Sequence, residues 1–552
     1  MKQTSIFVVA CVLLAGCGLW HAGPTLEPVG DVPLFSGLGE HTRPVDTGSA
    51  DAQRYFDQGL NFLFAFNHDE AIRSFRKTSE LDSSCAMAWW GIAIANGPHI
   101  NNPMMPPDRE KAAWEAAQEA QRRSGHASEV DRALIEALTQ RYTNKAAFDG
   151  KALDAAYADA MRGVWQRFPQ DDDVGALFAE ALMDLRPWDF WTADGKPQPG
   201  TEELLTTLEK VISRNPSHPH ALHLYIHAVE ASPNPEKGDA AADRLRDLEP
   251  GLGHMVHMPS HIDVRRGRWE QAMLANSKAI ESDRKYRELS PRQGFYTVYM
   301  SHNRHMLAYA AMMTGHRAEA VKAIDEMLAQ MPPEFVDEMA AVVDGFMAMP
   351  LEVRMRFGMW DDILAAPEFP ERFPLARALR HYARGVAYAA RGRTKEARAE
   401  QQAMIEAKAK VPTDAAFLNN SAADLIKVAE QLLDGEILYR EGKMKAAIES
   451  LRNATGTEDT LRYDEPPDWI QPTRHALGAA LLQSRRWKEA EAVFRDDLRR
   501  VPENGWSLYG LARSLRHQHK DKEASEVESR FAKVWAQSDT KISSPCFCQP
   551  GI

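Results

Sequence analysis

Eight of the chain's 19 histidines fall in three short stretches: His220, His223 and His227; His254, His257 and His261; and His302 with His305. A flat distribution would place about one histidine in three helices of a dozen residues. Within the first two groups the spacing is i, i+3, i+7, which is one stripe of an α-helix. The third group has Tyr309 at the last of these positions. His223 with His227, and His257 with His261, are four residues apart, so each pair could chelate one ion from one helix face. Neutral imidazole suits Zn, Cu or Fe, and Glu230, Asp263 and Asp184 offer carboxylates nearby. The expected ligands are therefore His223, His227, His257, His261, His302, His305 and Glu230, holding one or two ions. His220, His254, Tyr309 and, from a distant stretch, His475, Asp464 and Arg474 are candidates for contacting whatever else enters the groove. Metal-bound water would serve hydrolysis and a redox metal would serve oxidation; the residues do not choose between them. Three other readings compete: a polar groove for a peptide, hydrogen bonding between helices, and a pH-sensing cluster. Pro259 interrupts the second stripe, and His220 follows Pro219 at a helix start.

The elements that carry these side chains are read from a repeat. The body is rich in Ala, Leu, Glu, Arg and Met, and almost no segment alternates as a strand does. Gly59, Phe62, Ala71 and Phe75 share their spacing with Gly478, Ala490, Phe494 and Pro502; Leu511, Ala512 and Ala524 follow one period later. Gly435 with Ala447, Gly385 with Ala397, Gly315 with Ala320 and Gly267 with Ala272 extend the series. The pattern resembles tetratricopeptide repeats, and it runs from Asp51 to about Ala536 in nine or ten units, some degenerate. That resemblance implies an all-α solenoid of helical hairpins in which the second, fifth and ninth slots of each first helix look into a concave groove. Framed this way, all eight histidines occupy groove slots. The resemblance also implies a protein-docking scaffold of the cell envelope, binding a peptide or another envelope protein, as the alternative to a metalloenzyme. Two loops break the period, at Gly97 to Asp108 and Arg186 to Gly200. His68-Asp69-Glu70, His99 with Asn101 and Asn102, and Tyr463-Asp464-Glu465 ahead of Trp469 are weaker polar groups near the groove.

The ends set the compartment. Lys2 precedes an apolar run, Ile6 to Leu14, too short to span a bilayer of about 20 helical residues. Leu14-Ala15-Gly16-Cys17 resembles a bacterial lipobox, which implies cleavage before Cys17, acylation of that cysteine and, with Gly18 following, a place on the periplasmic face of the outer membrane. Residues 1–16 read as signal, 17–50 as a flexible tether, 51–340 and 341–536 as two stretches of solenoid, and 537–552 as a tail carrying Cys546-Phe547-Cys548, a candidate thiolate pair for Cu(I) or Zn. With five cysteines among 552 residues the core must hold by packing. A net charge of -12 without a basic block argues against nucleic acid as a partner. No Ser-His-Asp, P-loop or dinucleotide fingerprint stands in a credible context.

Overall fold

The computed structural model describes residues 30–145, 149–291 and 293–549. The segment read as a signal sequence, and Cys17, lie outside these residues. Among the described residues there are twenty-six α-helices, three short 3-10 turns and one two-stranded β-hairpin, Ala416–Phe417 against Asn420–Ser421. Gly253–His257 and Pro259–Arg265 are two halves of one broken helix, and Pro333–Glu338 stands between hairpins; the remaining helices pair into an all-α solenoid of tetratricopeptide-type hairpins. No described helix is long and apolar enough to cross a membrane.

The small residues of the repeat have a visible packing role. The Phe75 ring, on the second helix of the first hairpin, wedges between Gly59 of its own hairpin and Gly91 of the next; a methyl group at Gly59 would lie 2.7 Å from it. Near the other end Phe494 sits in the same way between Gly478 and Gly510. The same unit-to-unit joint at both ends of the chain is what a repeat requires. Turns within hairpins close on glycines in the left-handed region, such as Gly267 at φ 69° and Gly315 at φ 77°, where a side chain would strain the backbone.

The superhelix closes on itself. Trp269 donates its indole N–H to the carbonyl of Pro502 at 3.0 Å, and Trp506 donates to the carbonyl of Met312 at 2.7 Å. The apolar core divides into two bodies that meet around residues 262–306, ahead of the expected boundary at residue 340.

The ends differ from their expected looseness. From Gly30 on, the segment read as a tether is packed: Val32 and Arg43 are buried, and the Arg43 guanidinium bridges Asp131 at 2.8 Å, Asp171 at 3.1 Å and Asp173 at 3.1 Å. Polar sequence with no periodicity hid this strap, because its anchoring is by charge and not by an apolar stripe. At the other end Cys546 and Cys548 form a disulfide, not a free thiolate pair. The tail is folded back: Phe547 packs on Trp506 at 5.5 Å and Gln549 donates to Glu436 at 3.1 Å.

Candidate metal centre

Three neighbouring first helices build the centre: Pro219–Glu230, the broken pair Gly253–His257 and Pro259–Arg265, and Thr297–Thr314. Pro219 sits at the first position of its helix, where a missing N–H costs nothing, and His218 caps that helix by accepting from the Ala221 N–H at 3.3 Å. Pro259 breaks the middle helix, yet His257 and His261 still face each other across the break.

The imidazoles form two trios. His223, His227 and His254 make one, and His257, His261 and His302 the other; within each trio the nearest ring nitrogens lie within 4.8 Å of one another. Rings of the two trios stand side by side, His227 to His261 at 5.2 Å and His254 to His257 at 5.7 Å between centroids. Glu230 joins them, with one carboxylate oxygen on His227 Nδ1 at 2.7 Å and the other on His261 Nδ1 at 2.6 Å.

Hydrogen-bond partners fix the tautomers. His223 Nδ1 lies 2.8 Å from the Phe64 carbonyl oxygen, which can only accept, so Nδ1 carries the proton. His227 and His261 donate from Nδ1 to Glu230 for the same reason. His257 Nδ1 lies 2.7 Å from Asn276 Oδ1, and the Asn276 amide is oriented by its N–H donating to the Ala272 carbonyl at 2.8 Å. Four histidines therefore present a bare Nε2 lone pair inward. Two of these, on His257 and His261, are 2.8 Å apart. His223 Nε2 is 3.2 Å from His254 Nε2, and the buried His227 Nε2 has no hydrogen-bond partner. Burial disfavours the charged imidazolium, and the neighbouring imidazoles add to this, so His223, His254, His257 and His302 are held well below the ordinary histidine value. Burial alone would raise the Glu230 carboxyl; the imidazole N–H groups on its two oxygens outweigh that and hold it at about 2.

Of the expected ligands, His305 is not brought in. Its ring turns to Phe346 of the next unit at 5.7 Å, and both its nitrogens lack partners. One helical step beyond His302 already faces the next unit interface. Glu230 accepts imidazole N–H groups on both oxygens and, with His227 and His261, also forms a group close enough to hold an ion. His254, expected to meet substrate, belongs to a trio. His220 stacks on Phe64 at 4.3 Å and contacts Glu180 at 3.1 Å, outside the trios. Tyr309 packs edge-on to Trp269 at 5.8 Å. His475 is engaged by Arg356 at 2.6 Å and Asp497 at 3.1 Å, and Arg474 pairs with Asp459 and Asp496. Residues that the spacing did not single out include Asn276, the Phe64 carbonyl and Phe66, whose ring lies 4.4 Å from both His99 and His223. Phe66 adopts φ 58°, and no sequence signal marks it. Tyr463 reaches Glu230 from the C-terminal half, donating at 3.1 Å.

A cavity of about 690 Å³ opens over the centre, with His227, His254, His261 and His302 on its floor. Its walls come from the Trp188 loop, from Phe295, Val298 and Tyr299, from Phe346, and from the β-hairpin with Arg462, Asp464 and Glu465 of the C-terminal half. The two loops that interrupt the repeat both contribute, through Asn101 and Trp188. The second candidate cluster, His41, Asp173 and His218, is accounted for by hydrogen bonding: His218 accepts the cap at Nδ1, so its Nε2–H donates to Asp173 at 3.1 Å.

No protein-family description and no curated protein matches the chain. Solved structures resemble it at low identity and with loose superposition. The crystal structure of the APC/C hetero-tetramer Cut9-Hcn1 is 13% identical over 88% of this chain and 74% of that one, with a TM-score of 0.29. The human IFIT1 dimer with m7Gppp-AAAA is 13% identical over 89% and 92%, with a TM-score of 0.34. Yeast Tom70 is 12% identical over 89% and 91%, with a TM-score of 0.29. At these scores nothing transfers from them, and the solenoid assignment rests on the hairpins themselves.

Proposed function

We propose that the chain is a metalloenzyme with a dinuclear centre, one ion per histidine trio, at the floor of a small-molecule cavity. One observation carries the reading: the Nε2 atoms of His257 and His261 lie 2.8 Å apart while both Nδ1 protons are committed to acceptors, so two lone pairs face each other. That arrangement is repulsive unless a cation sits against both. A shared proton would serve, but burial works against it at His257. An all-imidazole donor set suits copper or zinc, and the affinity order of first-row metals favours copper. Glu230 and Asn276 orient the rings through Nδ1, the usual role of groups behind ligating histidines. When bound, copper supplies redox chemistry and zinc Lewis acidity. The protein's part is to hold the rings, exclude water from the trios and present substrate through the face at His302, the cluster member that is only half-buried.

Elemental analysis of the full chain purified without chelators tests this. The expected content is about two equivalents of metal, falling by about one in each of His223→Ala and His257→Ala. Sub-stoichiometric metal in the parent, unchanged in both variants, would sink the reading. A second reading, a docking scaffold, is favoured by the hairpin architecture; it requires that a protein partner still be captured when both trios are removed. A cavity of about 690 Å³ fits a small molecule better than an extended peptide. The reading extends to an exported, lipid-anchored protein, supported by the lipobox-like Leu14 to Cys17 and by the Cys546–Cys548 disulfide, which suits an oxidising compartment.

A further inference from the structure

The cavity over the trios is not generic apolar space. Trp188 stands edge-on to His227 at 5.1 Å between ring centroids, and its indole N–H is fixed by Asn101 at 3.1 Å. Its backbone is held at φ 58°, a conformation that a bulky side chain rarely adopts, so the surrounding loop enforces this placement. Phe295, Tyr299 and Phe346 complete an aromatic wall. Another part of the wall is acidic. Glu465 is buried, one of its oxygens lies 3.2 Å from the Tyr463 hydroxyl oxygen, and the other has no partner. Burial pushes the Asp464 carboxyl up to about 7 and the Glu465 carboxyl well above its ordinary value, so neither presents a full charge that demands a cation.

We infer that the cavity selects a small aromatic molecule bearing a hydroxyl group, with its ring against Trp188 and Phe346 and its polar substituent at the wall formed by Asp464 and Glu465. This rests on the metal-centre reading only in supposing that the ring lies over the imidazole floor. A saturated ring of the same size would fill the same space but would lose the edge-to-face and stacking contacts, which contribute beyond area alone.

Calorimetry on the full chain, zinc-loaded to prevent turnover and separately metal-free, decides the matter with 4-methylphenol and 4-methylcyclohexanol as probes. The expected result is saturable binding of the phenol about tenfold tighter than of the saturated alcohol. Trp188→Ala should erase that difference without changing metal content. Glu465→Gln should weaken the phenol severalfold while circular dichroism stays native. Equal binding of the two probes, or no saturable binding of the phenol by wild-type protein holding two metal equivalents, overturns the inference and leaves the metal centre standing. A chain that binds no metal but still prefers the phenol overturns the centre and keeps the aromatic selectivity. The wild-type comparison needs no variant to fold.

Discussion

His305 shows how narrow the margin is between a ligand and a buried histidine. It lies three residues from His302 on the same helix, yet its ring meets Phe346 and both its nitrogens are unpaired. Two predictions follow from this contrast. His305→Ala should leave metal content unchanged by elemental analysis, whereas His257→Ala should not. The second concerns pH. Burial lowers His305 to about 3, against about 6.5 in an unfolded chain. The unfolded state therefore takes up the proton first, and stability is lost as pH falls from 6.5 toward 3. By linkage, His305→Leu should add about 2 kcal/mol more stability at pH 5 than at pH 7.5. Denaturant titrations at the two pH values measure it; an equal effect at both would mean that His305 does not titrate as a buried neutral group.

At the scale of the element, the repeat works because glycine lets an aromatic ring seat between hairpins. Gly59→Val would drive methyl groups into the Phe75 ring and should cost about 1–3 kcal/mol or more through overpacking. Gly163, inside the helix Gly150–Arg167, has nothing within 4 Å of where its side chain would be. Gly163→Ala should instead stabilise by about 0.5–1 kcal/mol through helix propensity. Thermal unfolding of the two variants side by side separates packing glycines from incidental ones. The motif spacing made this legible, since Gly59 and Phe75 were both pattern residues. It did not reveal that Pro259 breaks the middle helix without separating His257 from His261, because a proline's effect on two side chains depends on what packs around the break.

For the whole molecule, closure joins distant hairpins, through Trp269 to Pro502 and Trp506 to Met312. The N-terminal strap is fastened by Arg43 to three aspartates from two helix starts, of which Asp131 and Asp173 are buried and Asp171 half-buried. Arg43→Ala would leave buried carboxylates without their counter-ion, and the expected loss is about 3–5 kcal/mol, seen as a lower unfolding midpoint. An unchanged midpoint would show the strap to be dispensable. Cys17 bears on the same scale. Metabolic labelling with a fatty acid should mark the wild-type chain in a bacterial host and fail in Cys17→Ser; labelling retained in the variant would remove the lipid anchor from the reading.

The sequence alone determined the helical solenoid, because period and small-residue spacing are local properties repeated many times along the chain. It also brought out the histidines, because three consecutive units placed them on one stripe. Only the tertiary structure sorted them. The two trios, the turn of His305 to a neighbouring unit and the behind-the-ring places of Glu230 and Asn276 depend on how adjacent helices rotate against each other. The cavity depends on still longer range: Arg462, Asp464 and Glu465 line it, and Tyr463 reaches Glu230, only because the superhelix closes and brings residues more than 200 positions apart into contact. Periodicity encodes which face of a helix a residue occupies; it does not encode what the closed molecule places in front of that face.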